Sequence, residues 1–352
     1  MISQDANAFL RFRANFVGYL TNNGVLVKSY VILPSKSKSV KSIFSFDFFK
    51  ILFAWNGNQK IYVVYGSLPI LFFLIFQPFS RKIIIFTGLG SIFNNNLKII
   101  SFPLINFLLL INIRYIKKVV FLNESDRDIF FKNVHQIKKF LVNVLPGEGV
   151  DFDKYRLCDP DQRKDVLPSL GFVSRLTYEK GFSDFKNLVR DLVLIKRNFP
   201  YRQLFLMGSN SGLNPSRIGA VELQDFISEN GITHIENYDQ ADAIVLMSKI
   251  DIICLLSKHE GVPFVLLEAL RTASIIILSD IHAHRAVFRD ACMARLGIVW
   301  AADGESLSRC YVQAWRMHQS SDVQSLLASR SAVLNKLSAG SVWPQWRTNI
   351  FS

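Results

Sequence analysis

The apolar positions of this chain fall into two kinds of run. Short unbroken stretches carry almost no polar alternation: IYVVYG (61–66), KIIIFTGLG (82–90), VVFL (119–122), LGFVSRL (170–176), QLFLMGS (203–209), DIICLL (251–256), IIIL (275–278) and GIVWAA (297–302). Strands buried on both faces of a parallel sheet read this way. Between them lie stretches of helical period. Phe9, Phe12, Phe16 and Leu20 follow a capping Asn7, and Phe185, Leu188, Leu192 and Ile195 line a helix over 182–198. Further helices are expected over 47–55, 68–76, 217–230 and 241–248 and from Ser306 and Asp322, with strands over 25–33 and 234–238. Strands alternating with helices predict an α/β protein with parallel sheets. Ile99 to Ile113 is the most apolar stretch, yet fifteen residues interrupted by Pro103 fall short of a bilayer span. It fits a core helix and, flanked by Arg114, Lys117 and Lys118, equally a helix lying in a membrane interface.

A length of 352 residues suits two domains, and a polar segment over 152–166 is the natural linker. The four cysteines show no paired spacing, which suits a reducing compartment and offers no zinc set. The net charge of +13 is lopsided. Residues 1–150 hold 18 Lys and Arg against 6 Asp and Glu, whereas residues 151–352 hold 23 against 22. A basic first half predicts an anionic partner such as a membrane surface or a phosphorylated substrate. No nucleic-acid module is recognisable, so nucleic acid is not expected.

The densest chemistry lies in 251–280, a strand, loop, helix and strand. Ligands of such βαβ units sit beyond the carboxyl ends of the strands. That place holds Ser257, His259, Glu260 and Gly261, with Glu268 a turn into the helix. Two carboxylates eight apart can serve a sugar and a ribose diol. They can equally be two glutamates favouring the first half of a helix. Arg175 and Lys180 follow another strand, and a fork of donors beside a point charge suits a diphosphate.

Ser257, Glu260-Gly261, Leu267-Glu268-Ala269-Leu270, Ser279-Asp280 and Ala283-His284-Arg285 together resemble the E-x7-E region of family-4 retaining glycosyltransferases. RLTYEKG (175–181) and Leu145 to Asp151 are also similar to stretches of that family. The resemblance implies the GT-B fold, two Rossmann-like domains facing a cleft. The first domain is then expected over 1–152, a nucleotide-sugar domain over 166–340, and a helix over 341–352 crossing back. It implies a catalytic set of Arg175, Lys180 and Glu260. Gly208, Gly261, Val262, Pro263, Leu267 and Glu268 are expected around the nucleotide sugar, and Thr87, Gly88, Gly90 and Ser91 on the acceptor side. A UDP- or GDP-sugar donor, a polyprenyl-diphosphate-linked or oligosaccharide acceptor, and cell-surface polysaccharide assembly follow from the same resemblance. The basic pair Arg175 and Lys180 can stand in for a metal, so neither metal nor other cofactor is expected. The chain is expected in the cytoplasm, peripheral on the inner membrane face. A GT-B nucleotide-sugar 2-epimerase and a nucleotide-binding module without turnover are the alternatives. Ala273, Ile275, His282 and Ala286 depart from the family pattern, and only Met1-Ile2 stand for its first strand. An absent central strand would cost several buried side chains, so either the true start is expected upstream or this form is expected to fold poorly and be inactive.

Overall fold

The computed structural model describes residues 2–3, 14–24, 30–31, 41–42, 61–65, 67–88, 98–134, 141–145, 147–155, 167–210, 216–236, 238–261, 263–288, 293–302 and 304–351. The chain divides into a first unit of Met1–Asp151 with Leu337–Ser352, and a second of Phe152–Lys336.

The first unit holds β1 (Ile2–Ser3), α1 (Ala14–Asn22), β2 (Tyr30–Val31), β3 (Lys41–Ser42), β4 (Tyr62–Tyr65), α2 (Ser67–Phe76), β5 (Lys82–Phe86), α3 (Lys98–Asn112), β6 (Ile116–Phe121), α4 (Glu124–Asn133) and β7 (Val142–Val144). The seven strands are parallel, in the order β3-β2-β1-β4-β5-β6-β7. Ile2–Ser3 therefore does occupy the centre, pairing with β2 and β4. The expected helix over 47–55, the start of the helix at Phe9 and most of the strand over 25–33 lie outside the described residues. Asn123 caps α4, its side chain accepting from the Asp126 amide. α2 and α3 connect consecutive strands of one direction, so right-handed crossover places them side by side on one face. Their inner sides, with Phe73, Leu74, Ile105, Leu108 and Leu109, close the core over β4 to β6.

The second unit holds β8 (Leu170–Val173), α5 (Phe182–Ile195), β9 (Leu204–Met207), α6 (Ala220–Glu229), β10 (Thr233–Ile235), α7 (Ala243–Met247), β11 (Ile252–Leu255), α8 (Phe264–Leu270), β12 (Ile275–Ser279), α9 (His282–Val287), β13 (Ile298–Ala301), α10 (Leu307–Ser320) and α11 (Val323–Leu337). Six parallel strands run in the order β10-β9-β8-β11-β12-β13. All four residues of β8, of β9 and of β11 are buried, as the unbroken apolar runs predict. α9 has no counterpart in the expected elements. The second unit begins at Phe152, so the start of the polar linker belongs to it.

α12 (Ala339–Phe351) packs within the first unit, where Trp346 stacks near Tyr65 and donates to the Gly147 carbonyl, and Trp343 donates to Glu148. The turn after α8, where Ala273 and Ile275 stand, is built from side chains. Thr272 bonds the Ala269 carbonyl and the Ser274 hydroxyl, Ser274 bonds Ile250, and the buried Arg330 guanidinium donates to the carbonyls of Thr272, Ser274 and Leu296.

Candidate functional site

Strand order in the second unit reverses between β8 and β11, because β9 and β10 lie on one side and β12 and β13 on the other. Loops leaving the carboxyl ends of two such strands diverge and leave room for a ligand. Here the loops are Ser174–Gly181 and Leu256–Pro263.

Backbone contacts hold these loops at close range. Gly181 has φ 84°, and a Cβ there would stand 2.2 Å from the Leu256 carbonyl oxygen. Gly208, at the end of β9, has φ 149°, and its Cβ would stand 1.7 Å from the Ser174 carbonyl oxygen. Only glycine allows either approach. The Lys258 amide then donates to the Glu179 carbonyl at 3.0 Å, joining the two loops directly.

This joining brings Lys180 and Glu260 together across 80 residues. Lys180 Nζ donates to Glu260 Oε1 at 2.5 Å, and the Ser257 hydroxyl donates to the same oxygen at 2.7 Å. Both charged side chains are mostly covered, 12% and 18% exposed. Burial pushes the Glu260 carboxyl up, but the Lys180 charge, the Lys180 and Ser257 hydrogen bonds and nearby His284 outweigh it, so Glu260 titrates below the ordinary carboxylate range. The pair is an ion pair in a desolvated place, where its field is strong.

A second layer fixes Ser257. The Ser279 hydroxyl donates to the Ser257 carbonyl at 2.7 Å, and His284 Nδ1 lies 2.8 Å from the Ser279 carbonyl. A carbonyl only accepts, so in the neutral ring Nδ1 carries the proton. His284 is buried, and burial lowers its pKa against the opposing pull of Ser279 and Glu260. Asp280 accepts both ends of the exposed Arg285 guanidinium, so that pair closes the loop from outside.

Glu268 lies elsewhere. It sits in α8 with no exposed surface, and Tyr155 donates its hydroxyl to Glu268 Oε1 at 2.7 Å. Tyr155 follows the short turn Phe152–Lys154, which Arg271 anchors by stacking its guanidinium 5.3 Å from the Phe152 ring centre. A diol that bonds to Glu268 has to displace a covering group.

The expected residues thus separate. Lys180, Glu260 and Ser257 form one cluster, with buried Gly261 and Pro263 next in the same loop. Arg175 is exposed in the loop after β8. Leu267 is a core side chain, and its amide is taken by the Pro263 carbonyl. Gly208 is required by Ser174. Thr87 and Gly88 lie at the carboxyl end of β5 in the first unit. Gly90, Ser91 and Val262 lie outside the described residues. Sequence reasoning missed Tyr155, which nothing in its polar surroundings marks, and did not separate His284 from its stretch. Among the described residues no group of three or more His, Cys, Asp or Glu is placed to hold a metal.

Residues 161–297 match the family of glycosyl transferases group 1. No curated protein sequence matches the chain. Among solved structures, Anabaena HepE in complex with UDP is similar at 14% identity, covering 99% of this chain and 98% of that one, with a TM-score of 0.66. A glycosyltransferase from Rickettsia africae is similar at 15% identity, covering 100% and 98%, with a TM-score of 0.64. The pneumococcal O-GlcNAc transferase GtfA, solved with UDP and GlcNAc, is similar at 13% identity over 82% of this chain and 56% of that one, with a TM-score of 0.56. The fold is therefore that of the GT-B glycosyltransferases, an α/β fold with two parallel-sheet domains.

Proposed function

We propose that the chain transfers a sugar from a nucleoside diphosphate donor, with retention, to a saccharide or polyprenyl-diphosphate-linked acceptor of cell-surface polysaccharide assembly. The acceptor is met at the inner face of the cytoplasmic membrane. The observation that carries this reading is the Lys180–Glu260–Ser257 cluster, held where the strand order reverses. Support comes from the group 1 match over 161–297 and from fold neighbours solved with UDP and UDP-glucose.

Departure of a diphosphate builds negative charge on its oxygens, and fixed cations there stabilise the transition state without reorganising. Lys180 is such a cation: Glu260 and the packing of Gly181 on Leu256 hold it in place. An ammonium has three donors, so the diphosphate is met while Glu260 keeps one. Arg175, exposed in the same loop, adds a bidentate donor. Glu260, ionised and oriented by Ser257, then faces the sugar hydroxyls. Glu268 serves the ribose after exchanging a covering partner. No group here is assigned as a covalent nucleophile.

Lys180→Ala removes a charge-assisted contact worth roughly 1.5–3 kcal/mol, so it weakens nucleoside diphosphate binding about ten- to hundred-fold by calorimetry. Glu268→Gln weakens nucleoside but not free pyrophosphate binding. Unchanged affinity in both variants disproves the site. Anomeric configuration of the product by NMR tests retention. A donor sugar inverted at carbon 2 without any acceptor identifies an epimerase instead.

A further inference from the structure

The helix α3 does not bury its apolar length. Ile105, Leu108 and Leu109 face the core, while Leu104, Phe107, Leu110 and Ile111 on the opposite side are exposed. Phe107 is 60% exposed. The end of α2 joins this face. Asn112, at the end of α3, donates to the Leu74 carbonyl, and the buried Lys82 ammonium ties Asn112 to the carbonyls of Gln77 and Pro78. Phe79, which follows α2, packs edge-on against Tyr115 with ring centres 5.6 Å apart. Exposed Phe76 and Phe79, the latter 64% exposed, thus lie at the same end of the unit as Leu110 and Ile111. Side chains of this size, half uncovered, make a patch on the order of 500 Å², at the upper end of what a free surface shows.

The stretch of sequence that carries the patch has charge of one sign. Between Asp47 and Glu124 the sequence holds no acidic residue and eight Lys or Arg. Arg114 is exposed just past α3, Lys117 is exposed at the start of β6, and half-buried Arg81 stands just before β5. In the second unit, by contrast, exposed Val193 and Leu194 stand between Asp191 and Lys196 on a helix of mixed charge. Apolar aromatics flanked in sequence by bases match the acyl boundary and the anionic headgroups of a bilayer. Among the described residues no helix is long and apolar enough to cross a membrane.

We propose that the outer face of α2 and α3 is a docking surface for an anionic bilayer, with Phe76, Phe79, Phe107 and Leu110 entering the acyl boundary and Arg81, Arg114 and Lys117 meeting the headgroups. This rests on the membrane-face part of the proposed function and not on the donor assignment. The test is co-sedimentation of the full chain with phosphatidylcholine vesicles with or without 30% phosphatidylglycerol. The chain is expected to pellet with the anionic vesicles at low salt, to remain in solution with the neutral ones, and to be released at high salt. Phe79→Glu with Phe107→Glu abolishes pelleting while the thermal melt and nucleoside diphosphate affinity stay unchanged. Arg114→Glu and Lys117→Glu each weaken partitioning about fivefold or more. Equal pelleting of the double Phe variant overturns the proposal, as does a wild-type chain that ignores anionic vesicles at low salt. A concentration-dependent dimer that the Phe variants abolish, without vesicle binding, makes a second copy the occupant and also overturns it. Vesicle binding without nucleoside diphosphate binding leaves the surface standing and refutes the donor assignment.

Discussion

The second unit closes the carboxyl ends of its strands with polar contacts, whereas the first leaves an apolar helix face open to its surroundings. Both are parallel sheets of the same winding, with a reversal at β8/β11 in one and at β1/β4 in the other. In the second unit two glycines let neighbouring loops touch, and an ion pair, two serines and a histidine lock them. Its chemistry is concentrated at one sheet end. In the first unit a buried polar cluster lies at the opposite end, where Lys82 gathers Gln77, Pro78 and Asn112 at the amino end of β5. One sheet pattern thus supports two uses, and which polar groups the loops can bring together decides between them.

The largest expected effect breaks the loop contact of the second unit. Gly208→Ala places a Cβ on the Ser174 carbonyl, and relieving it has to part β8 from β9. The second unit loses roughly 5 kcal/mol of stability, seen as a lower denaturant midpoint with unchanged hydrogen exchange in β4 to β6.

A smaller effect belongs to the first unit. Burial lowers the Lys82 ammonium from 10.5 to about 7. The unfolded chain keeps that proton up to about pH 10, so above pH 7 it binds more protons than the native state, and stability rises with pH. Between pH 7 and pH 9.5 the gain is about 3 kcal/mol, lowered by whatever the three carbonyl partners contribute to the charged form. Urea unfolding across that range measures it, and Lys82→Met removes the slope. A flat profile in the native chain means that Lys82 stays charged. In the second unit the slope has the same sign for the opposite reason: the charged form of Glu260 is favoured by its partners, so its stability is present above the ordinary carboxylate range and is lost as pH falls through its lowered value.

The smallest effect sharpens the account of Glu268. Tyr155→Phe removes the hydroxyl that occupies Oε1, costing about 1–2 kcal/mol of ligand-free stability. The exchange that a ribose requires then costs less, so nucleoside diphosphate affinity rises about fivefold by calorimetry. Affinity for pyrophosphate does not change. A loss of nucleoside affinity instead makes Tyr155 an orienting group.

The alternation of unbroken apolar runs with helical stretches was enough to predict an α/β chain of parallel strands, because burial on both faces leaves no room for polar residues. Lys180, Glu260 and Glu268 were singled out through the resemblance of 175–181 and 251–285 to a known family, in loops and a helix start that are short-range features. The opposite faces of α3 were only half legible: the run from Ile99 to Ile113 is apolar all round, and period alone does not say which side meets the core. Tertiary structure decided the rest. The pairing of Lys180 with Glu260 depends on a glycine packed against Leu256, and Tyr155 reaches Glu268 across 113 residues. Contacts of that separation leave no period in a sequence. Hydrophobic pattern records the type of each element and, where one side is polar, the side that is buried; only the assembled sheet determines which loop ends meet.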